Sequence, residues 1–581
     1  AAQLTGFALM MKGRADDRRL FERGVKLNVM ALVDSAGFDA EGLAKGVELS
    51  DYGLNPGDLT ELKRLFEHAT TFGSLIQVPE GVAEKLPALK QLSEATSQDL
   101  FVSEALKRLG PLVQQAEMLA AQFDAVVANP PYMGSKGMNP LVKRFAKDNF
   151  PNAKSDLFAC FMERGCTFAK TEGRNAIVTM DSWMFLSSYL GLRESLLRHR
   201  SIESLVHVGW NCFPQGHTYN RGVAFVLKNG CLRDFSSYLN LSDVPATVDK
   251  NELFLLRLSE NTALYQRRQS EFKKIPGSPL AYWVSDKVRN IFEQSIPLED
   301  VAPARAGLQT GENEKFIRRW YEVSYLDSGL RGYTRISAEK SGLKWFPYNS
   351  GGDYRRWYGN NDKVIDWYQD GYNIKMDKLD KLEIGLCLPG NSKPKNEQFY
   401  FRKSITWTKV SSADFGVRIC EPGFLFDIAG SSAFPVDEYF GAAASFLLSS
   451  LATFFVKILN PTLNIQTGNI GNLPWIPEKI DSLLQSLDEH VSSAVTITRA
   501  DWNAYERSWD FQSLPILTAS SEPTPTLESC YTAWITQNRD TIAEMKQLEE
   551  NNNKLFIDAY GLQGELTPDV PIEQITLTVN P

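Results

Sequence analysis

The stretch Phe-Asp-Ala-Val-Val-Ala at 123–128 runs directly into Asn129-Pro130-Pro131-Tyr132. Six mostly apolar residues have the length of a buried strand, and two consecutive prolines end it. The stretch therefore predicts a buried strand whose carboxyl end carries a polar side chain and an aromatic ring.

Each part of this tetrapeptide suits the task of holding an exocyclic amine. The Asn129 side-chain oxygen accepts a hydrogen bond from an amino group, and Tyr132 offers a flat face on which a base stacks. Neither proline has an N–H group, so nearby carbonyl groups stay free to accept from the same amine. Two acceptors aim the amine lone pair at an electrophile, as a direct methyl transfer requires. The alternative is a plain turn, since Asn-Pro is turn-prone, but the position directly after a strand favours the functional interpretation.

The strand with Asn-Pro-Pro-Tyr resembles the catalytic motif of amino-methyltransferases that modify adenine in DNA. The longer stretch from Asn129 through Met133-Gly134 to Phe150 is similar to the PglX family, the methyltransferases of BREX phage-defence systems. Asparagine in first place resembles the adenine-modifying branch, because enzymes that modify the cytosine amine more often have serine there. The resemblance implies S-adenosylmethionine as the cofactor. It also implies double-stranded DNA and other BREX defence proteins as partners.

Composition sets the broad class of protein. The chain has 581 residues, enough for two or three domains, and its 43% hydrophobic and 23% charged residues are ordinary for a globular protein. The longest apolar candidate, 442–459, is interrupted by polar residues, which argues against a membrane span. Seven cysteines without a C-x-x-C pair and only five histidines favour reduced thiols in a cytoplasm and argue against a metal site.

The expected fold class is α/β: a partial Rossmann-like methyltransferase domain, then a mixed α+β target-recognition domain and a helical tail. Residues 1–275 form the first part, with a helical insertion at 34–110. Residues 276–476 form the DNA target-recognition domain, and 477–581 form the helical spacer or tail. Strands at 175–180, 202–208 and 222–227, alternating with a helix at 183–200, predict a largely parallel sheet.

The resembled family holds its cofactor with a glycine-rich loop and an acidic strand end, and this sequence contains neither. We therefore expect the chain to be the C-terminal half of a longer protein and to bind S-adenosylmethionine only weakly by itself. Within the chain, Phe161 matches the position that packs against the adenine ring of the cofactor, beside Asn129. As an ordinary core aromatic, Phe161 would fit the helix pattern equally well.

A second aromatic residue is expected opposite Tyr132. In the resembled enzymes, an aromatic residue before a proline covers the other face of the flipped base, and Phe213 is the match. Two stacks of ~1–3 kcal/mol each offset part of the cost of extruding the adenine. The neighbours Trp210 and Tyr219 are alternatives for this role. His207 and His217 invite a general-base role, but an amine attacking a sulfonium needs little prior proton removal.

DNA contacts are expected in two places. The window 311–410 has 18 basic and 13 acidic residues, so a local charge of +5 against −8 for the chain, together with 18 aromatic residues. Basic residues interleaved with aromatics suit a surface that tracks a phosphate backbone and reads bases. An ordinary β-rich domain with core aromatics is the alternative. The candidate contacts in this window are Arg355, Arg356, Trp357, Tyr358, Lys393 and Lys395.

The second place is the segment 139–152, with Lys143, Arg144 and Lys147. These side chains suit either phosphate contacts or an ordinary solvated face.

The function expected from the motif and the resemblance is a site-specific, adenine-specific DNA methyltransferase that acts on N6 of a flipped base. A DNA-recognition module whose catalysis needs the missing half is the first alternative. A methyltransferase for RNA or protein is the second, since some protein-glutamine methyltransferases share Asn-Pro-Pro-Tyr. The large basic and aromatic region argues against a protein substrate.

Overall fold

The chain forms two units, Ala1–Phe272 and Lys273–Pro581. The computed structural model describes residues 2–213, 221–230, 235–386, 393–409, 415–462 and 464–580. Each unit has its own hydrophobic core, so each is described by itself.

The first unit contains a helical segment, residues 38–120, which is called the helical block below, and then a sheet with flanking helices. Its helices are α1 Ala2–Asp16, α2 Ala40–Gly46, α3 Pro56–Leu65, α4 Ala69–Phe72, α5 Glu80–Ser93, α6 Leu100–Ala120, α7 Pro140–Asn149, α8 Leu157–Phe168, α9 Leu190–His199 and α10 Lys250–Glu260. Its strands are β1 Phe123–Ala128, β2 Ala169–Met180, β3 Arg200–Gly209, β4 Gly222–Asn229, β5 Ser236–Asn240 and β6 Leu264–Arg267.

Among the described residues, the sheet of the first unit has six strands in the order β1-β2-β4-β3-β5-β6. The pairs β1–β2 and β3–β5 are parallel, and the other three pairs are antiparallel. The predicted strands are therefore present, and β1, β2, β3 and β5 run in one direction while β4 and β6 run in the other. The reversed β4 lies between β2 and β3, a position that the local alternation of strands and helices does not encode.

Strand β1 lies at an edge of this sheet, and the prediction that it is buried is wrong. Among the described residues β1 pairs only with β2, and the Val127 side chain is 81% exposed. Phe123 is exposed as well. The apolar composition of β1 thus reflects a surface that nothing in the described chain covers.

The helical block is joined to helix α8, which packs on the sheet. Helix α6 begins after Asp99, whose carboxylate accepts from the Phe101 and Val102 amides, as an N-cap does. The block is held to α8 by Arg164, a buried side chain that donates to the carbonyls of Ser74, Ile76 and Leu119. Burial lowers the pKa of Arg164 to about 10.

The second unit combines short strands with helices. Its helices are α11 Asp286–Gln294, α12 Asn313–Phe316, α13 Arg335–Ser341, α14 Tyr368–Glu383, α15 Phe440–Leu447, α16 Ser450–Leu459, α17 Thr467–Gly471, α18 Pro477–Ile480, α19 Leu484–Asn503 and α20 Leu527–Tyr560. Its strands are β7 Ile296–Pro297, β8 Ala304–Arg305, β9 Ile317–Arg319, β10 Trp345–Asn349, β11 Lys363–Asp366, β12 Ser404–Trp407, β13 Val417–Cys420, β14 Leu425–Phe426, β15 Ser432–Ala433 and β16 Pro474–Trp475.

These strands form two four-stranded sheets, β14-β10-β11-β9 and β13-β12-β15-β8, and the pair β16-β7. Helices α19 and α20 pack into the same core as the second of these sheets, with Leu487 and Phe556 among the fully buried residues. The described residues of 477–580 thus share a core with the preceding segment. Among the described residues no single helix is long and apolar enough to span a membrane, although Asp437–Leu447 and Ser450–Leu459, bent by 76°, pass that test as a pair.

Arg355 and Arg356, which the sequence indicated as DNA contacts, lie in the interior of the second unit. Arg355 is 9% exposed and lies 3.3 Å from the Asp501 carboxylate on α19, and burial lowers its pKa. Arg356 is 7% exposed and lies 3.2 Å from the Glu549 carboxylate on α20. Both guanidinium groups join the long helices to the sheets, because acids far along the chain neutralise them inside the core.

The neighbouring aromatics are interior as well. The Trp357 indole donates to Glu549 at 2.8 Å, and Tyr358 is buried beneath Arg499. Burial raises the pKa of Glu549, while Arg356 opposes that rise. One carboxylate therefore accepts from the indole and pairs with the guanidinium group of a single short segment, which makes Glu549 a polar centre of this core.

We predict that Glu549→Ala destabilises the second unit by about 3–5 kcal/mol, because it leaves the Arg356 charge buried without its partner. The free energy of unfolding is measured by urea denaturation with tryptophan fluorescence. Glu544→Ala, at an exposed position of the same helix, is the control and is expected to change stability by at most about 0.5 kcal/mol. A loss below about 1 kcal/mol for Glu549→Ala would contradict the assigned role.

Candidate active site

The tetrapeptide Asn129–Tyr132 begins where β1 ends, at the carboxyl edge of the sheet. Asn129 is exposed, Pro130 is buried and Tyr132 is half-buried. The Tyr132 hydroxyl donates to Asn129 Oδ1 at 3.4 Å, so the ring lies across the amide. Burial, and secondly the neighbouring Cys212, raises the pKa of Tyr132 to about 12. The site therefore presents an accessible amide beside a neutral aromatic ring.

The Asp156 carboxylate ties this loop to helix α8. Asp156 Oδ1 accepts from the Met133 amide at 2.9 Å and from the Phe158 amide at 3.2 Å, the second as the N-cap of α8. The Leu157 amide donates back to the Met133 carbonyl at 3.1 Å. Burial raises the pKa of Asp156, and the amides that it accepts from oppose that rise. The loop and the helix are thus held in one register by a single carboxylate.

The predicted aromatic pair does converge. The ring centroids of Tyr132 and Phe213 lie 6.5 Å apart, with the planes inclined by 40°. Phe158 packs edge-on against Tyr132 at 6.1 Å, and Tyr189 lies 5.8 Å beyond Phe158. Tyr132 therefore packs against the interior Phe158 and also lies close to Phe213, which is 36% exposed.

The structure pairs the alternative residues Trp210 and His207 with other side chains. Trp210 lies beneath the Arg221 guanidinium at 5.7 Å, and the structure describes no contact between it and Tyr132. His207 is 1% exposed and bonded to Asp181, so its ring nitrogens face the protein interior. Tyr219 and His217 lie outside the described residues.

Phe161 is half-buried on α8, five residues after the capping Asp156. Lys393 and Lys395 in the second unit are exposed, unlike Arg355 and Arg356. Among the described residues, no group of three or more histidine, cysteine, aspartate or glutamate side chains is placed to hold a metal ion.

Two residues near the site are not among those that the sequence indicates. Asp156 caps helix α8 and also holds Met133, 23 residues away. Asp181 was not singled out, although it follows strand β2 directly, as Asn129 follows β1. A polar residue immediately after a strand is the signal that Asn129 and Asp181 share.

Comparison of the sequence with known proteins relates the chain to restriction-modification methyltransferases. Residues 41–213 match the family model described as Eco57I restriction-modification methylase, and this range contains Asn129, Tyr132, Phe161 and Phe213. The chain is a homologue of adenine-specific methyltransferases.

The resemblance to PglX expected from the sequence is confirmed. The chain is 34% identical to the adenine-specific methyltransferase PglX of Lacticaseibacillus casei (strain Zhang) over 590 residues, 98% of this chain and 47% of that protein. It is also 34% identical to the adenine-specific methyltransferase BrxX of Escherichia coli O9:H4 (strain HS) over 610 residues, 100% of this chain and 47% of that protein. The chain thus spans about half the length of these curated relatives.

Among solved structures, a DNA complex of the type IIL restriction-modification enzyme MmeI covers 92% of this chain and 70% of its own. The TM-score is 0.47 and the identity is 11%.

We predict that Asp156→Ala loosens the catalytic loop, because it removes the acceptor of the Met133 amide as well as the helix cap. Amide hydrogen exchange at 132–135 and 157–159 should accelerate by about fivefold, in line with a cap worth about 1 kcal/mol. The control is Asn139→Ala, which removes the N-cap of α7 and should accelerate exchange only at the start of that helix. Unchanged exchange at Met133 in Asp156→Ala would contradict the tether.

Proposed function

We propose that this chain carries the catalytic loop and the target-base pocket of a phage-defence methyltransferase. The reaction transfers a methyl group from S-adenosylmethionine to N6 of an adenine flipped out of duplex DNA. One observation carries the proposal: an accessible Asn129 amide lies beside Tyr132, whose ring faces Phe213 at 6.5 Å. Its similarity to adenine-specific methyltransferases favours adenine as the base.

In this proposal the Asn129 Oδ1 and the Pro130 carbonyl accept the two N6 hydrogens of the adenine. Drawing both hydrogens towards acceptors on one side turns the nitrogen lone pair out of conjugation with the ring. The Tyr132 hydroxyl, which donates to the same amide oxygen, fixes the orientation of the amide. The lone pair forms the new bond to carbon, and the amine then loses one proton to water.

The spacing of Tyr132 and Phe213 suits a flat base between them. Optimal contact between carbon atoms is about 3.5 Å, so a sandwiched ring requires about 7 Å between its neighbours. The observed 6.5 Å is slightly less, and the 40° inclination opens the pair on one side. A small outward movement of Phe213 therefore admits the base, while Phe158 keeps Tyr132 in place.

The chain fits only part of S-adenosylmethionine. Phe161 offers an aromatic face for the adenine ring, and Asn129 lies at the expected end of β1, but the sequence has no glycine-rich loop and no acidic strand end for the ribose. The cofactor supplies an electrophilic methyl carbon and keeps the electrons of the broken carbon–sulfur bond. We assign the remaining contacts of the cofactor to protein sequence beyond this chain. This chain together with that sequence is called the assembled enzyme below.

The second unit is proposed to recognise the target sequence, and further defence proteins are proposed as partners. The exposed Lys393 and Lys395 keep their proposed role as DNA contacts. Arg355 and Arg356 are not proposed again, because their partners Asp501 and Glu549 hold them in the core.

We predict that Asn129→Ala lowers methyl transfer by the assembled enzyme at least about 100-fold, because one acceptor needed in the transition state is lost. DNA affinity should remain within about twofold. Transfer is measured with a labelled methyl donor, and affinity by anisotropy of a labelled duplex. Asn129→Ser retains an acceptor and is expected to lose less. Methyl transfer by Asn129→Ala within about tenfold of the parent would contradict the role.

DNA binding near the catalytic loop is assigned to helix α7 and its flanks. The segment 136–154 contains five basic residues and one acidic residue, so a local charge of +4 in a chain of −8. Lys143, Arg144 and Lys147 are exposed. Phe145, on the same helix, stacks on Phe72 of the helical block with ring centroids 4.0 Å apart, so the charged face is rigidly presented.

We predict that changing Lys143, Arg144 and Lys147 together to alanine weakens binding of this chain to any duplex. The slope of log affinity against log salt should flatten by up to about three units, since each phosphate contact contributes about −0.9. Affinity is titrated on two unrelated duplexes at several salt concentrations. Changing the exposed Lys63, Arg64 and Lys107 of the helical block together is the charge-matched control. An equal slope change in both variants would assign the effect to net charge alone.

A further inference from the structure

The Asp181 carboxylate lies at the centre of a buried polar network next to the proposed base pocket. Asp181 follows β2 directly and is 5% exposed. Its Oδ2 accepts from His207 Nε2 at 2.9 Å and from Arg221 Nε at 2.7 Å. Its backbone amide donates to the Arg221 carbonyl at 3.0 Å. None of these contacts has a role in the methyl transfer proposed above.

The two partners of Asp181 stand at opposite ends of one chain segment. His207 lies near the end of β3, two residues before Gly209, and Arg221 directly precedes β4. The segment between them joins β3 to β4 and carries Phe213. A single carboxylate therefore holds together the two ends of the segment that presents one half of the aromatic pair.

The described part of this segment has further attachments that fix its path. Gly209 and Asn211 have positive φ values of 72° and 59°, so the chain turns sharply as it leaves β3. The Asn211 side chain donates to the Ala246 carbonyl at 3.1 Å. Cys212 occupies space that exists only because Gly222, the first residue of β4, has no side chain. Because Phe213 directly follows Cys212, these contacts make the position of Phe213 depend on the ends of β3 and β4.

His207 is itself oriented from its other side. Its Nδ1 lies 3.3 Å from the Ser242 hydroxyl, which donates to Asn240 Oδ1 at 2.8 Å. The ring also packs against Phe185, with centroids 6.2 Å apart. The imidazole is thus held by several contacts. It therefore orients the Asp181 carboxylate towards Arg221.

We propose that Asp181, through His207 and Arg221, is a positioning residue that sets the distance between Phe213 and Tyr132. Asp181 touches neither the base nor the cofactor in this assignment and acts only by holding the ends of the segment that carries Phe213. The importance of that distance for methylation rests on the function proposed above, whereas the holding of the segment does not.

The variant Asp181→Asn tests the holding directly, because it keeps the shape and removes the charge that binds Arg221. We expect hydrogen exchange at 210–213 to accelerate at least about tenfold, with exchange in β1 unchanged. The control is Glu203→Gln, which removes a carboxylate paired with Arg174 at 2.7 Å between β3 and β2 of the same sheet. Unchanged exchange at 210–213 in a folded Asp181→Asn protein overturns the proposal, as does equal acceleration in Glu203→Gln.

A second measurement separates positioning from general stabilisation. The emission of 2-aminopurine at the target position, in a duplex bound to the assembled enzyme, reports how the flipped base is stacked. Asp181→Asn should move this emission at least halfway towards the value for Phe213→Ala. The double variant should match Phe213→Ala alone, because residues that act through one contact are not additive. Additive effects of the two changes overturn the proposal.

The two proposals fail in different ways. If Phe213→Ala leaves the emission unchanged, the aromatic pair does not hold the base and the proposed function loses its pocket. Hydrogen exchange in Asp181→Asn then still decides whether Asp181 holds the segment. If Phe213→Ala changes the emission and Asp181→Asn does not, the pocket stands and the positioning role of Asp181 is overturned.

Discussion

The geometry of the candidate site depends on one carboxylate that serves two backbone segments. Asp156 accepts from the amide of Met133 in the catalytic loop and from the amide of Phe158 in helix α8. Prolines cannot donate, so the loop after Asn129 has few amides with which to hold itself in place. Because the same oxygen caps the helix, any displacement of the loop also costs the helix its cap. Helix α8 also contains Arg164, which donates to carbonyls of the helical block. The position of the catalytic loop is therefore fixed relative to both the helix and the helical block.

The second unit uses charge in the opposite way, to join helices to sheets inside the core. Arg355 and Arg356 resemble a nucleic-acid contact in sequence because they lie among aromatic residues. Their counter-charges, Asp501 and Glu549, come from helices 146 and more residues further along the chain. A buried pair of this kind contributes little net stability but makes the loss of either partner expensive. It therefore fixes which surface of each helix faces the sheets.

Local patterns were sufficient where a few consecutive residues carry the information. The end of β1 at Asn129, the strand leading to Gly209 and the start of β4 at Gly222 were all predictable from short apolar runs with turn signals. The convergence of Tyr132 and Phe213 was predictable only through resemblance, since 81 residues separate them. The exposure of β1, the reversed β4 and the burial of Arg355 depend on pairings between distant segments. No window of sequence contains those pairings, and the contact of Asp181 with both ends of one segment belongs to the same class.

The open edge of β1 has a consequence for how this chain behaves at high concentration. Among the described residues no strand pairs with the outer edge of β1, and an open strand edge beside an 81% exposed valine is a template for another strand. In a solution of this chain alone, two such edges meet more often as concentration rises, so the association state depends on dilution. A lysine in place of Val127 would charge that edge and favour dispersed molecules, at no cost in interior packing. The strand that positions Asn129 therefore also affects how readily this chain associates with itself.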